Sequence, residues 1–130
     1  MIVLDASAAV DWLLETPAGQ MIERRIYARE ETLHTVHLID VEFAQVLRCL
    51  VREGRLTPRR AQEAIEDLAA LRLTRYAPVL LLGRIWQLRQ NLSAYDAAYV
   101  ALAEELRAPL ITRDRRLAAA PGHSAAVEVF

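Results

Sequence analysis

Lysine is missing from this chain: all sixteen basic side chains are arginine. That excludes a phosphoacceptor receiver domain, which needs a lysine near its last strands. Arginine's planar fork pairs bidentately with phosphate, so the bias leaves a nucleic-acid substrate open, although codon usage produces the same bias. Glycine is almost as scarce, with four residues, and none forms a phosphate-cradling glycine-rich loop. A lone cysteine, Cys49, allows no internal disulfide and fits a reducing compartment. It falls on the flank of an apolar helical stripe, which is a packing position. His34, His37 and His123 lack metal-ligand spacing, so a histidine-based zinc site is not expected. The net charge of −1 supplies no overall basic field. No apolar run approaches the roughly 18 residues that span a bilayer. The chain enters Ile2-Val3-Leu4-Asp5 with no basic segment before it, so no signal peptide is expected. Those absences together predict a cytoplasmic protein without membrane contact.

What is present suits a compact fold. Hydrophobic residues make up 54% and charged residues 25% of 130 positions, enough for one domain over residues 1–130 with a buried core. Strand-like and helix-like segments alternate. Residues 2 to 5 read as a buried strand, because the apolar run is continuous rather than alternating. Ser7 is the expected N-cap of a short helix through Leu13. Pro17 opens a helix to about Arg29, and Thr32 to Thr35 is a weak second strand. Ile39, Phe43, Val46, Leu47 and Leu50 form one helical stripe, stopped at Gly54. Thr57-Pro58 starts a helix that turns Ala61, Ile65, Leu68 and Ala69 inward. Leu73 to Tyr76 is a third strand, followed by a helix from Pro78 to about Leu92. Ser93 or Ala94 begins a helix through Leu106, and Pro109 to Thr112 is a fourth strand. A short helix over roughly Arg113 to Ala119 and a last strand at Val127 to Phe130 complete the series. Such alternation predicts an α/β fold, a parallel sheet with helices on both faces.

Four carboxylates occupy chemically informative places in that plan. Asp5 ends the first strand, and Asp114 follows the fourth. Glu42 lies in the first turns of the third helix, and Asp96 opens the helix before the fourth strand. Acids at strand ends and helix starts converge on the edge of an α/β sheet where ligands bind. Carboxylates brought together repel unless cations lie between them, and hard oxygen donors suit a hard divalent metal. Each acid also has an ordinary role open to it: Asp5 and Asp96 as caps or first-turn acids, Glu42 as a surface side chain. Asp40, on the opposite edge of the same stripe, competes with Glu42, and spacing does not separate them. Thr112 and Asp114 can point into one crevice. Arg113, Arg115 and Arg116 beside them could meet phosphates or simply be solvated. Trp12, Trp86, Tyr27 and Tyr76 belong either to the core or to a partner surface.

Taken in order, Ile2-Val3-Leu4-Asp5-Ala6-Ser7-Ala8, Asp40-Val41-Glu42-Phe43-Ala44-Gln45-Val46-Leu47, Leu92-Ser93-Ala94-Tyr95-Asp96-Ala97-Ala98-Tyr99 and Leu110-Ile111-Thr112-Arg113-Asp114 resemble the PIN domain, and more narrowly the VapC-type toxin ribonucleases. The resemblance covers nearly the whole chain. It implies a PIN-like three-layer fold, with a parallel sheet of about five strands flanked by helices. It selects Glu42 over Asp40 and makes Asp5, Glu42, Asp96 and Asp114 the acidic quartet that binds Mg²⁺ or Mn²⁺. Ser7 and Thr112 would support Asp5 and line the site. Also implied are an RNA substrate, a homodimer and a VapB-like antitoxin whose tail occupies the acidic groove. A haloacid-dehalogenase-like phosphatase would need an aspartate where Ser7 stands. Two rival functions remain compatible with the residues: a weakly catalytic module within a DNA-binding repressor complex, and a related nuclease acting on DNA.

Overall fold

The opening apolar run forms the central strand. In the computed structural model, which describes all 130 residues, β1 (Ile2–Leu4) is flanked by β2 (Leu33–Val36) and β4 (Leu110–Thr112). β3 (Leu73–Tyr76) and β5 (Val127–Val129) complete a five-stranded sheet in the order β3-β2-β1-β4-β5. Every pairing is parallel. A strand so placed is covered on both faces, which explains why Ile2, Val3 and Leu4 are all fully buried.

Side-chain alternation divides the core in two. Ile2 and Leu4 join a cluster with Ile22, Phe43, Leu47 and Leu68, drawn from helices α1 (Ala6–Leu13), α2 (Pro17–Tyr27), α3 (Leu38–Arg52) and α4 (Pro58–Ala70). Val3 and Leu110 join the other, with α5 (Leu82–Gln87), α6 (Ala94–Leu106) and α7 (Arg115–Ala119). The expected three layers are therefore present. No helix is long and apolar enough to cross a membrane.

Local signals place the helix starts well. The hydroxyls of Thr16, Thr57 and Ser93 accept from the backbone N–H groups of Gly19, Arg60 and Asp96, capping α2, α4 and α6. Other expectations need correction. Asp5, not Ser7, caps α1, accepting from the Ala8 N–H, because the carboxylate sits where the strand ends. Ala64 faces inward on α4, while Ile65 and Ala69 face out. The small side chains of Ala61 and Ala64 let α4 lie against α1 and α3, and that close fit outweighs burial of one isoleucine. Val46 is likewise exposed. The helix expected from Pro78 to Leu92 is a 3₁₀ turn at Pro78–Leu81 followed by α5, which stops at Gln87. Ser93 must hold an extended backbone to cap α6, so the preceding helix ends early.

Sheet order reverses direction at β1, whose neighbours lead in opposite directions along the chain. The crevice beyond the carboxyl ends of β1 and β4 is the binding position of such a sheet. α1, whose first turn lines that crevice, packs tightly on α2 at its other end: a Cβ at Gly19 would run into the Asp11 carbonyl and the Trp12 backbone. Gly19→Ala, which in an open helix gains roughly 0.5–1 kcal/mol, is expected here to lose about 1–3 kcal/mol by overpacking. Chemical denaturation of the two proteins checks the sign.

Candidate active site

All four predicted acids line one cleft of about 480 Å³ at the carboxyl edge of the sheet, together with Ser7 and Tyr99. Leu38, Val41, Val46 and Tyr95 make an apolar wall beside them. A larger cleft, about 760 Å³, opens between Trp12, Tyr27 and the starts of β2 and β3, and none of the quartet reaches it.

Asp5 is the anchored member. Its Oδ1 accepts from the Ser7 hydroxyl at 2.7 Å and the Ala8 N–H at 2.8 Å. Its Oδ2 accepts from the Thr112 hydroxyl at 2.5 Å. The two hydroxyls are themselves held: Ser7 accepts from the Arg113 N–H, and Thr112 from the Asp114 N–H, each at 2.9 Å. These bonds tie the end of β1 to the end of β4. Burial pushes the Asp5 carboxyl above its usual 3.8, a shift the three donors oppose and the negative charge of Asp96 adds to.

Glu42 projects from α3, half-buried, and its Oε2 accepts from the Tyr99 hydroxyl at 2.5 Å. Its carboxyl is also raised, first by burial and then by the charges of Asp5 and Asp96, against the lowering effect of Tyr99. Burial and the adjoining Glu42 keep the Tyr99 phenol far above its ordinary range, so it remains a protonated donor. Asp96 lies in the first turn of α6, half-buried, with no ion-pair partner. Asp114 caps α7 through the Arg116 N–H and meets the Arg116 guanidinium at 2.6 Å. That pairing holds the Asp114 carboxyl below its usual range.

The carboxylates share the cleft without closing on a point: no group of three Asp, Glu, His or Cys side chains is gathered tightly enough to hold a metal ion as it stands. The physical reason is visible in the bonding. Asp5 is committed to three donors, Asp114 to Arg116, and the remaining acids repel. Donor chemistry nevertheless fits a hard cation. Asp5, Glu42 and Asp96 present only oxygen, the charge of Asp96 adds to the raised values of Asp5 and Glu42, and none of the three has a basic side chain paired with it.

Asp40, the rival of Glu42, turns to the rim of the sheet and pairs with Arg75 at 2.9 Å. The three arginines have different fates. Arg113 pairs with Asp11 at 2.5 Å and touches the Phe130 carbonyl, and Arg116 is spent on Asp114. Arg115 is exposed and makes no ion pair. His34 bonds Thr32 and Tyr76, and His123 bonds the Leu117 carbonyl, so neither enters the cleft. Of the aromatics, Trp12 is core and Tyr76 half-buried, whereas Tyr27 and Trp86 are exposed.

Comparison with known proteins gives this arrangement its kinship. The PIN-domain family pattern matches residues 2–122. The chain belongs to the PIN-domain family. Within it, the chain is 49% identical over 117 residues to ribonuclease VapC9 of Mycobacterium tuberculosis, covering 90% of this chain and 88% of that one. That similarity places it among the VapC ribonucleases, PIN-domain enzymes that generally depend on a divalent metal. The crystal structure of PAE2754 from Pyrobaculum aerophilum superposes with a TM-score of 0.71 at 25% identity, covering 98% of this chain and 83% of the other. VapBC2 from Rickettsia felis, bound to a DNA fragment from its promoter, shares the PIN fold at a TM-score of 0.71 and 14% identity, covering 99% and 98%.

Tyr99 is the site residue that sequence reasoning passed over. Its signal was present: three residues after Asp96, it lies on the same helical face, and a buried phenol needs a polar partner. The charge state of the cleft generates a prediction. Glu42 has a raised folded-state value, so its ionisation costs stability, and that cost appears as pH rises from the ordinary 4.5 through the raised value. In chelator at pH 7, Glu42→Gln is therefore expected to melt higher than the parent. The gap should close as pH falls below 4.5, as thermal melts across pH will show.

Proposed function

We infer that this chain is the toxin nuclease of a toxin–antitoxin pair. It hydrolyses RNA phosphodiester bonds using Mg²⁺, or Mn²⁺ in its place, held by Asp5, Glu42, Asp96 and Asp114. One observation carries the reading: three carboxylates without basic partners face one cleft at the switch point of the sheet, in a chain nearly half identical to a VapC ribonuclease. Hard oxygen donors and the absence of histidine or thiolate there favour Mg²⁺ or Mn²⁺ over zinc.

The roles divide by geometry. Ser7 and Thr112 hold both oxygens of Asp5, so its lone pairs face the cleft in a fixed direction. Asp96, at the start of α6, supplies a second carboxylate with no competing bond. Asp114 joins the set by sharing its carboxylate with Arg116 or releasing it. A bound divalent ion would lower the pKa of a water and offset charge gathering on the phosphate. Arg115, the unpaired arginine beside the cleft, is assigned to phosphate contact.

A VapB-like antitoxin is the expected partner, and the wall of Leu38, Val41, Val46 and Tyr95 beside the acids suits a peptide with both apolar and basic side chains. A homodimer is the expected assembly. To test the function, purified partner-free protein is incubated with structured RNAs and with DNA, in Mg²⁺ or chelator. Asp5→Asn and Asp96→Asn are each expected to lose at least about 100-fold in RNA cleavage, as removal of several kcal/mol of transition-state stabilisation requires. Cleavage in chelator, or full activity in either variant, overturns the mechanism. Cleavage of DNA alone replaces the substrate, and no cleavage at all favours a purely binding role.

A further inference from the structure

Glu42 reaches into the cleft on a long side chain held at one point. A glutamate carries three side-chain torsions, and this one stands half-buried on α3 with a single side-chain hydrogen bond, that from Tyr99. Asp5 has three donors and Asp114 has Arg116. Tyr99 is buried, with 2% of its surface exposed, so its ring cannot swing away and its hydroxyl has no water to turn to. The bond also crosses between layers. α3 belongs to the core cluster on one face of the sheet and α6 to the cluster on the other. Tyr99 and Glu42 therefore join the two helical layers over the carboxyl edge of β1.

The identity of the donor matters. An arginine or lysine in this place would hold Glu42 equally well but neutralise it. A phenol supplies one proton and no charge, occupies Oε2, and leaves Oε1 free for the cleft. We propose that Tyr99 is a positioning residue that fixes the Glu42 carboxylate for a divalent cation while leaving its charge intact. Because Asp96 and Tyr99 are three residues apart on α6, the same helix that presents one acid also sets the direction of another. This role rests on the reading of the quartet as a cation site.

The test separates the two. Mn²⁺ binding is measured by calorimetry on the wild-type chain, Tyr99→Phe, Glu42→Gln and the double variant, each checked for folding by circular dichroism. Tyr99→Phe keeps the ring and is expected to weaken Mn²⁺ binding by about 10- to 100-fold, the usual cost of losing a residue that orients a ligand. The Mg²⁺ concentration for half-maximal RNA cleavage should rise in parallel. In the Glu42→Gln background the same change should have little further effect, because Tyr99 acts through Glu42. Unchanged Mn²⁺ affinity in a folded Tyr99→Phe protein, alongside weakened binding in Glu42→Gln, overturns the role of Tyr99 and leaves the cation site standing. An equal loss from Tyr99→Phe in both backgrounds also overturns it. Absence of Mn²⁺ binding in the wild-type chain removes the cation site itself, and the role of Tyr99 with it. Should Tyr99→Phe fail to fold, Tyr99→Gln, which retains a neutral N–H donor, must bind Mn²⁺ more tightly than Tyr99→Leu for the role to survive.

Discussion

A carboxylate carried into a protein interior has to be compensated, and Asp5 is compensated by neutral donors rather than by a counter-charge. Two hydroxyls and one backbone N–H converge on it from the start of α1 and from the end of β4. The donors offset only part of the cost of burial, since the Asp5 carboxyl still stands above its usual range, and they bring no counter-charge into the cleft. The Thr112 bond ties the end of β1 to the end of β4 where the crevice opens, and Ser7 adds a second link by accepting from the Arg113 N–H. The residue that caps α1 is also the acid proposed to face a cation; asparagine could serve the cap, because its amide oxygen accepts equally well, but could not supply the charge.

The distribution of arginine follows from that constraint. Arg25 meets Glu31 and Glu128, Arg75 meets Asp40, Arg84 meets Glu104, and Arg113 meets Asp11. These pairs join one element to another, away from the cluster formed by Asp5, Glu42 and Asp96. These four arginines are committed to holding the periphery together, whereas Arg115 makes no ion pair. Asp114 is the exception, since it carries its own guanidinium in Arg116.

Much of this is legible in the sequence. Continuous apolar runs marked the buried strands, Pro17 marked one helix start, and Thr57 and Ser93 marked two more because a hydroxyl there serves an N–H otherwise left bare. Acids at the ends of Ile2–Leu4 and Leu110–Thr112 could be assigned to one sheet edge from chain order alone. The choice between Asp40 and Glu42 could not be made from a helical wheel, since both flank one stripe. In the fold it turns on where β3 delivers Arg75, a long-range fact. The inward face of α4 was misjudged for a related reason, as close helix approach rewards alanine over isoleucine. Tyr99 was overlooked because its partner lies on a helix from the opposite layer, which no local spacing reveals.

The order of the strands has a temporal meaning as well. β1, the middle of the sheet, is synthesised first, while β4, which supplies Thr112 and leads into Asp114, comes near the end. A nascent chain emerging from the ribosome holds Asp5 with one of its three donors still unmade. The cleft is therefore complete only once the chain through Asp114 has been made and has folded back beside β1.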